Sequence, residues 1–306
     1  MTPQNPAPVL NQSFRRVSIL LALTLCMQGC ASPRQMLLSG VADALAAQGQ
    51  ADEDDLLLAR DAAPFYLKLS ESLLLQTPGH ISLAESVAGG FTQYAYAFVA
   101  FEADRIESRD SRAAQRMRER AARLYERAHR HAMAALEQAQ PGLRASLAKG
   151  PSGVRIPSAQ VGLAYWAAAS WAAAISLSKD RPDVVADLPL AVALAQAAHA
   201  AEPGHGQGAL ASLLGTLEAS RPGGTRAQAM AYFDQALARA GRTRAAVYVA
   251  MAEALAQPSG DRAAFERWLR LALEPPTAGA AGATDLSTRV ITERARWLLA
   301  SIDDLF

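Results

Sequence analysis

Cysteine is nearly absent from this 306-residue chain, and its two copies, Cys26 and Cys30, both lie close to the N-terminus. Because no thiol follows Cys30, a disulfide cannot hold the rest of the chain together. Two cysteines also fall short of the three or four ligands that a structural zinc site needs, so a metal or redox pair is the weaker interpretation of this C-x-x-x-C spacing.

An excess of one charge sign is also missing. The formal net charge is +1, and it becomes −1 if Arg15 and Arg16 are removed with a leader. Without a basic excess, nothing in the composition indicates binding to nucleic acid. The stretch 102–131 mixes nine arginines with six acids, which is typical of a solvated helix face.

Catalytic motifs are lacking as well. The chain contains no G-x-S-x-G, no G-x-x-x-x-G-K and no H-E-x-x-H. Glu126 and His129 have the E-x-x-H spacing of di-iron bundles, and so do Glu202 and His205, but a Pro-Gly dipeptide interrupts the helix that the second pair would need. We therefore expect no enzyme, no cofactor and no metal site.

Long apolar runs are confined to the N-terminus, where two arginines precede the uncharged stretch 17–27. This stretch is too short to span a bilayer and has the layout of a secretion signal. Gly29 then precedes Cys30, whereas bulky Leu25 precedes Cys26. The pattern resembles the lipobox of bacterial lipoproteins, with residues 1–29 as the signal peptide.

This resemblance implies that Cys30 becomes the acylated N-terminus of the mature protein. Two or more acyl chains on one residue give stable attachment to a membrane. Residues 30–50 would then form a lipidated tether and a first short helix. Ala31 follows the cysteine, and under the sorting rule of enteric bacteria this favours the outer membrane over the inner one. We expect a lipid-anchored protein of the bacterial envelope that faces the periplasm.

Alanine dominates the rest of the chain, and β-branched residues are sparse. This composition, without sustained alternation of polar and apolar residues, predicts an all-α domain over 51–306. Between 83 and 101, large apolar residues recur every three or four positions, which predicts a helix with an aromatic and aliphatic face. Gly89 and Gly90 lie within it, and we expect a neighbouring helix or a ligand to approach closely there.

A small-aromatic-small spacing recurs along the helical region, as in tetratricopeptide repeats, where the second helix of each pair must fit between its neighbours. This recurrence predicts a tetratricopeptide-like array of helix pairs forming one compact domain, with a non-repeating bundle as the alternative. The positions that match are Ala121, Tyr125 and Ala128; Ala191, Ala195, Ala198 and Pro203; Ala229, Phe233 and Ala236; and Ala264, Trp268, Leu271 and Pro276.

Four segments carry a family resemblance. They are ARDAAPFYLKLSESLL, GFTQYAYAFV, the stretch from YWAAASWAAAISLSKD to AEPGHGQG, and the tail from DRAAFERWLRLALE to ITERARWLLASIDDLF. Together they resemble the T-component lipoproteins (TatT) of TRAP transporters. The resemblance implies an accessory component that binds the periplasmic solute-binding protein (P component), forms a homo-oligomer such as a trimer, and encloses an apolar channel for an apolar or carboxylate ligand.

No motif defines the residues that would line such a channel. We expect them among the aromatic residues of two apolar helices, the one with the aromatic face and a later one that is apolar nearly all round. The alternative function is a tetratricopeptide-like scaffold lipoprotein for envelope assembly, without a ligand. The candidate lining residues are Phe91, Tyr94, Tyr96, Phe98, Trp166 and Trp171.

Acylation at Cys30 is directly testable. In cells fed a palmitate analogue, the wild-type chain and Cys26→Ala should incorporate label, whereas Cys30→Ala should not, because its only acceptor thiol at the cleavage position is gone. Label retained in Cys30→Ala would contradict the assignment.

Overall fold

The computed structural model describes residues 33–48, 55–275 and 286–306. The chain divides into two compact units, 1–41 and 42–306. Within the first unit, the described residues are 33–41, which form the first part of a helix. The predicted signal peptide and Cys30 lie outside the described residues.

The described part of the chain is helical and contains no β-strand, so the all-α prediction is confirmed. Two π-helices, Tyr96–Ala100 and Ala252–Ala256, and two 3₁₀ turns, Pro151–Gly153 and Ser158–Gln160, accompany the α-helices. The α-helices are α1 Pro33–Gln48, α2 Leu56–Leu74, α3 Ile81–Ala95, α4 Phe101–Ile106, α5 Ser111–Ala139, α6 Leu143–Leu147, α7 Val161–Ser176, α8 Pro182–Val185, α9 Leu188–Ala201, α10 His205–Ser220, α11 Arg226–Arg239, α12 Arg244–Met251, α13 Arg262–Leu273, α14 Leu286–Ala300 and α15 Ile302–Leu305.

Short polar side chains set where several helices begin. Asp55 accepts hydrogen bonds from two backbone N–H groups of the first turn of α2, at 2.8 and 3.1 Å. Asp110, Thr225 and Asp261 cap α5, α11 and α13 in the same way. These caps satisfy N–H groups that have no partner inside the helix, so the boundaries are encoded locally.

The long helices pack as pairs that stack on one another. The pairs are α3 with α5, α7 with α9, α10 with α11, and α12 with α13. The second helix of each pair also contacts the first helix of the next, and the first helices α3, α7, α10 and α12 contact one another in sequence. This is the predicted tetratricopeptide-like arrangement, here called the helix-pair stack.

The positions picked out by the repeat spacing lie at the interfaces of this stack. Leu271 is only partly buried, Pro203 is exposed, and Pro276 lies outside the described residues. The others are buried: Ala121, Tyr125 and Ala128 in α5, Ala191, Ala195 and Ala198 in α9, Ala229, Phe233 and Ala236 in α11, and Ala264 and Trp268 in α13.

The Gly89–Gly90 pair of α3 receives side chains from two neighbouring helices. A Cβ atom at Gly89 would lie 2.8 Å from Cε2 of Trp166 in α7, and one at Gly90 would lie 2.5 Å from Cδ2 of Leu67 in α2. Both distances are shorter than non-bonded carbon atoms tolerate. The two glycines therefore allow α2 and α7 to pack closely on α3.

One further stretch, Pro182–Ala201, is long and apolar enough to cross a membrane, which corrects the expectation that such runs are confined to the N-terminus. It is divided into α8 and α9 by a turn at Ala186 and Asp187. Its residues Ala191, Leu194 and Ala198 are fully buried, and α9 packs on α7 and α10. We therefore assign the buried face of α9 to the protein core.

The C-terminal helix α14 contacts α12 and α13 of the last pair and also α2, which precedes the first pair. Chain segments more than 200 residues apart are thereby brought together. The candidate functional site is formed by α14 together with α4 and the second π-helix.

The Gly89–Trp166 contact predicts that Gly89→Ala destabilises the fold by about 1 to 3 kcal/mol, because overpacking outweighs the higher helix propensity of alanine. Urea denaturation would measure the change. In a Trp166→Leu background the same substitution should cost clearly less. An equal cost in both backgrounds would show that the indole is not the obstacle.

Candidate functional site

Two π-helices continue directly from α3 and α12. In the first, the backbone N–H of Phe101 donates to the carbonyl oxygen of Tyr96, and in the second, that of Gln257 donates to Ala252 at 3.0 Å. Each bond spans five residues instead of the four of an α-helix. Such π-helices are rare and occur frequently at functional sites.

The side chain of Arg294 in α14 lies between these two π-helices and is only 11% exposed. Its Nε atom is 3.0 Å from a carboxylate oxygen of Glu253, in the second π-helix. Both of its Nη atoms are 3.1 Å from Asp104, in the helix that follows the first π-helix. One buried cation thus links α14 to the second π-helix and to α4, which follows the first π-helix.

Aromatic rings enclose this ion pair. The guanidinium carbon of Arg294 lies 5.1 Å from the ring centre of Phe101, 5.5 Å from that of Tyr96 and 5.9 Å from that of Trp297. Burial alone would lower the pKa of Arg294, but the negative charges of Glu253 and Asp104 raise it above its ordinary value. Burial also raises the pKa of Tyr96, so the phenol stays protonated beside the cation.

Tyr94, Tyr96 and Phe98, three of the predicted lining residues, lie at this end of α3. Tyr94 and Phe98 contact each other with ring centres 5.6 Å apart. Tyr94 and Tyr96 also pack against a small cluster formed by Val99, Tyr125 and Ala174. All three predicted residues are only partly buried.

Trp166 lies at the other end of the α3–α7 contact and is also partly buried. Its ring centre is 4.8 Å from that of Tyr165, which in turn is 5.9 Å from His205 of α10. One turn earlier, a Cβ at Gly162 would lie 2.5 Å from Cδ of Glu85 in α3. Burial raises the pKa of this carboxyl group, partly offset by His205, and raises that of Tyr165 to about 12.

Trp171 belongs to a different part of the molecule. It is 3% exposed and forms a core cluster with Ile175 and Ala191. Its ring centre is 4.1 Å from that of His129, whose pKa is lowered to about 4, chiefly by burial. Trp171 therefore packs towards α5 and α9, away from the rings of α3.

Phe91 is buried at 4% exposure and lies beside a charged cluster. The guanidinium carbon of Arg127 is 5.1 Å from its ring centre, and the same group forms a bidentate pair with buried Glu71. His131 is 2.6 Å from Glu71, and Lys68 also donates to it. Burial alone would raise the pKa of Glu71, but the hydrogen bonds from Arg127, Lys68 and His131, together with the charge of Arg127, lower it to about 2.

The six predicted residues therefore do not line one surface. Tyr94 of α3, Tyr96 and Phe98 of the first π-helix and Trp166 of α7 are partly buried and are here called the open aromatic set, whereas Phe91 and Trp171 are buried in the core. The sequence reasoning did not single out the Arg294 ion pairs. The sequence did contain a signal for them. Arg294 lies on the same helix face as Ile291 and Trp297, and an arginine buried on an apolar face needs carboxylate partners.

The two members of the first E-x-x-H pair make other contacts, whereas Nδ1 of His205 lies 3.9 Å from Oε2 of Glu202 in the second pair. Glu126 accepts a hydrogen bond from Arg181 at 2.9 Å, and Nδ1 of His129 is 3.2 Å from the carbonyl oxygen of Ala167. Within 33–48, 55–275 and 286–306, no group of three or more His, Cys, Asp or Glu side chains is arranged to hold a metal ion.

Comparison with known proteins agrees with the resemblance found in the sequence. A family model described as TRAP transporter T-component (TAtT) matches residues 52–306, which include the whole helix-pair stack. Among curated proteins, none matches the chain. The suspected family is confirmed.

The buried position of Arg294 predicts that Arg294→Met destabilises the fold by about 3 to 5 kcal/mol, because Glu253 and Asp104 are left without their shared cation. Arg296→Met on the same helix is the matched control. Its side chain is 62% exposed and its partner is Glu293, so the cost should stay below about 1 kcal/mol. Equal costs in urea denaturation would contradict the role assigned to Arg294.

The depressed pKa of Glu71 predicts a stability difference that depends on pH. Its pKa is lower in the folded chain than the ordinary 4.5, so its contribution is full above about pH 4.5 and is lost as the pH falls towards 2. Glu71→Gln should cost about 2 to 3 kcal/mol near pH 7 and progressively less in acid. A cost of Glu71→Gln that does not change with pH would refute the prediction.

Proposed function

Because the chain belongs to the TRAP transporter T-component family, it is an accessory component of such a transport system, and we propose that it binds the system's solute-binding protein (P component). The family is a transporter component and not a family of enzymes.

An exposed apolar stripe on α2 carries this proposal. Leu58, Phe65 and Leu69 are 55%, 76% and 46% exposed and follow steps of seven and four residues, so they lie on one helix face. The opposite face of α2 buries Leu67 and Leu74. We call the exposed face the α2 stripe. Grouped apolar side chains of this kind on a folded domain mark a surface that contacts a protein or a membrane.

The polar border of the α2 stripe favours a protein partner. Arg60 and Asp61 form an ion pair at 2.9 Å and are both well exposed beside Leu58 and Phe65. An apolar centre with a charged border is the usual anatomy of a protein interface. In this proposal the solute-binding protein covers the α2 stripe, and a second copy of the chain in a trimer is the competing occupant.

The open aromatic set is proposed to contact the ligand, whether apolar or a carboxylate. The partly buried rings of this set can meet a ligand without unpacking of the core. The buried rings of Phe91 and Trp171 cannot. Arg294 already has two carboxylate partners, so its role in this proposal is to position Tyr96 and not to bind the ligand. Cys30 is proposed to carry the lipid that holds the protein on the periplasmic face of the envelope, with the outer membrane favoured.

Photocrosslinking tests the receptor interface. With p-benzoylphenylalanine in place of Phe65, the chain should capture a co-expressed solute-binding protein, because this ring is the most exposed of the α2 stripe. The matched control carries the same substitution at the C-terminal residue Phe306, which is 40% exposed. This control should capture no solute-binding protein.

The variant Phe65→Glu should reduce co-purification of the receptor by about tenfold, because it places a charge in an apolar interface, while leaving thermal unfolding unchanged. Capture of a second copy alone would assign the α2 stripe to self-association. Undiminished receptor recovery with Phe65→Glu would also overturn the proposed surface.

A further inference from the structure

The outer face of α5 carries a row of exposed arginines. Successive members are four, four, three and seven residues apart, so they lie on one side of the helix. The opposite side faces the core and buries Ala121, Tyr125 and Ala128. At a rise of 1.5 Å per residue, the row is about 27 Å long. Its members, here called the α5 arginine row, are Arg112, Arg116, Arg120, Arg123 and Arg130.

The acidic side chains of the same stretch are mostly engaged elsewhere, although the sequence mixes the two signs. Within the described residues, no arginine of the row forms an ion pair. Exposed Glu119 stays beside the row and accepts a hydrogen bond from Gln115 at 3.3 Å. The face is therefore almost wholly cationic. The other acids of 102–131 have other partners: Glu102 pairs with Arg105, Asp104 with Arg118 and Arg294, Glu107 with Arg118, and Glu126 with Arg181, while Asp110 caps α5.

The row does not stabilise α5 by itself, because like charges one helical turn apart repel each other. Arg127 shows the contrast. It lies on the same side of the helix but forms a bidentate pair with buried Glu71 and lies over the ring of Phe91. The arginines of the row have no such partners among the described residues. An anionic surface outside the domain would supply the missing counter-charge.

The composition of this face favours a lipid bilayer over a protein as that surface. No large apolar side chain of α5 is exposed, whereas a protein interface has an apolar centre within a polar border. Guanidinium groups bind phosphate through two parallel hydrogen bonds. An anionic bilayer presents phosphate groups over a broad surface, which a row along one helix can contact over its whole length.

We propose that the α5 arginine row docks the domain on a bilayer that contains anionic phospholipids. Acyl chains on Cys30 would hold the N-terminus at a membrane without fixing how the domain faces it. The row selects the orientation in which α5 lies against the headgroups. This contact goes beyond receptor binding and does not depend on it, because the α2 stripe belongs to a different helix.

Vesicle flotation tests the contact in the absence of an acyl chain. The protein is the chain from residue 30 onwards with Cys30→Ser, which contains every described helix. It should float with vesicles of phosphatidylcholine that contain about 30% phosphatidylglycerol, and not with vesicles of phosphatidylcholine alone. Binding should disappear at about 0.5 M salt, because the charges are then screened.

Two triple variants with the same change of net charge provide the matched comparison. The row variant is Arg116→Gln, Arg120→Gln and Arg123→Gln. The control variant removes three exposed arginines that lie outside α5: Arg239→Gln, Arg242→Gln and Arg267→Gln. The row variant should bind the anionic vesicles on the order of a hundredfold more weakly, at about fivefold for each arginine. The control variant should bind nearly as well as the unchanged chain.

Thermal unfolding separates binding from folding. Both variants should melt no lower than the unchanged chain, because only surface charges are removed. Equal weakening by the two variants, or equal flotation with neutral vesicles, would overturn the proposal. So would a chain that does not float with anionic vesicles, and loss of receptor recovery by the row variant would then assign the row to a protein interface. Phe65→Glu leaves the row intact, so the two proposals fail separately.

Discussion

The ion pairs of Arg294 are the interaction on which the arrangement of the helix-pair stack most depends. A stack of helix pairs has two free ends, because each pair contacts only its neighbours. Here α14 places a buried guanidinium between Asp104, which follows the first helix of the stack, and Glu253, which follows the first helix of the final pair. The charges are satisfied only when the two ends meet, so arrangements that leave Arg294 or its carboxylates buried without a partner are disfavoured.

The fold could be predicted from the sequence because the residue patterns that determine it are local and repeated. Alanine and aromatic residues at fixed spacing marked the interfaces of α5, α9, α11 and α13. The partners of Gly89 and Gly90 could not be read in this way. Periodicity indicates that something packs closely against a glycine but does not say that it is Trp166 or Leu67.

The candidate site was harder to predict for a related reason. Helical spacing places Phe91, Tyr94 and Phe98 on one face, yet it cannot tell which end of that face is filled by neighbouring helices. Phe91 lies beneath Arg127 and is core, whereas Tyr94 and Phe98 keep free surface. Trp166 and Trp171 are five residues apart in one helix and so point to different sides, which assigns them to different clusters.

The first π-helix sets the relative orientation of the helical segments before and after it. Residues 81–106 form one uninterrupted helical rod, α3, the π-helix and α4, and the five-residue hydrogen bond adds one residue to a turn. One residue corresponds to a rotation of about 100° around a helix axis. The half that carries Gly89 and the half that carries Asp104 are therefore set at an angular offset that a regular helix of this length would not have. Removing a single residue from 96–100 would let this turn return to an α-turn while Asp104 still faces Arg294 and α3 still meets α7, so the first π-helix is a position where the chain can gain or lose one residue without reorienting either half.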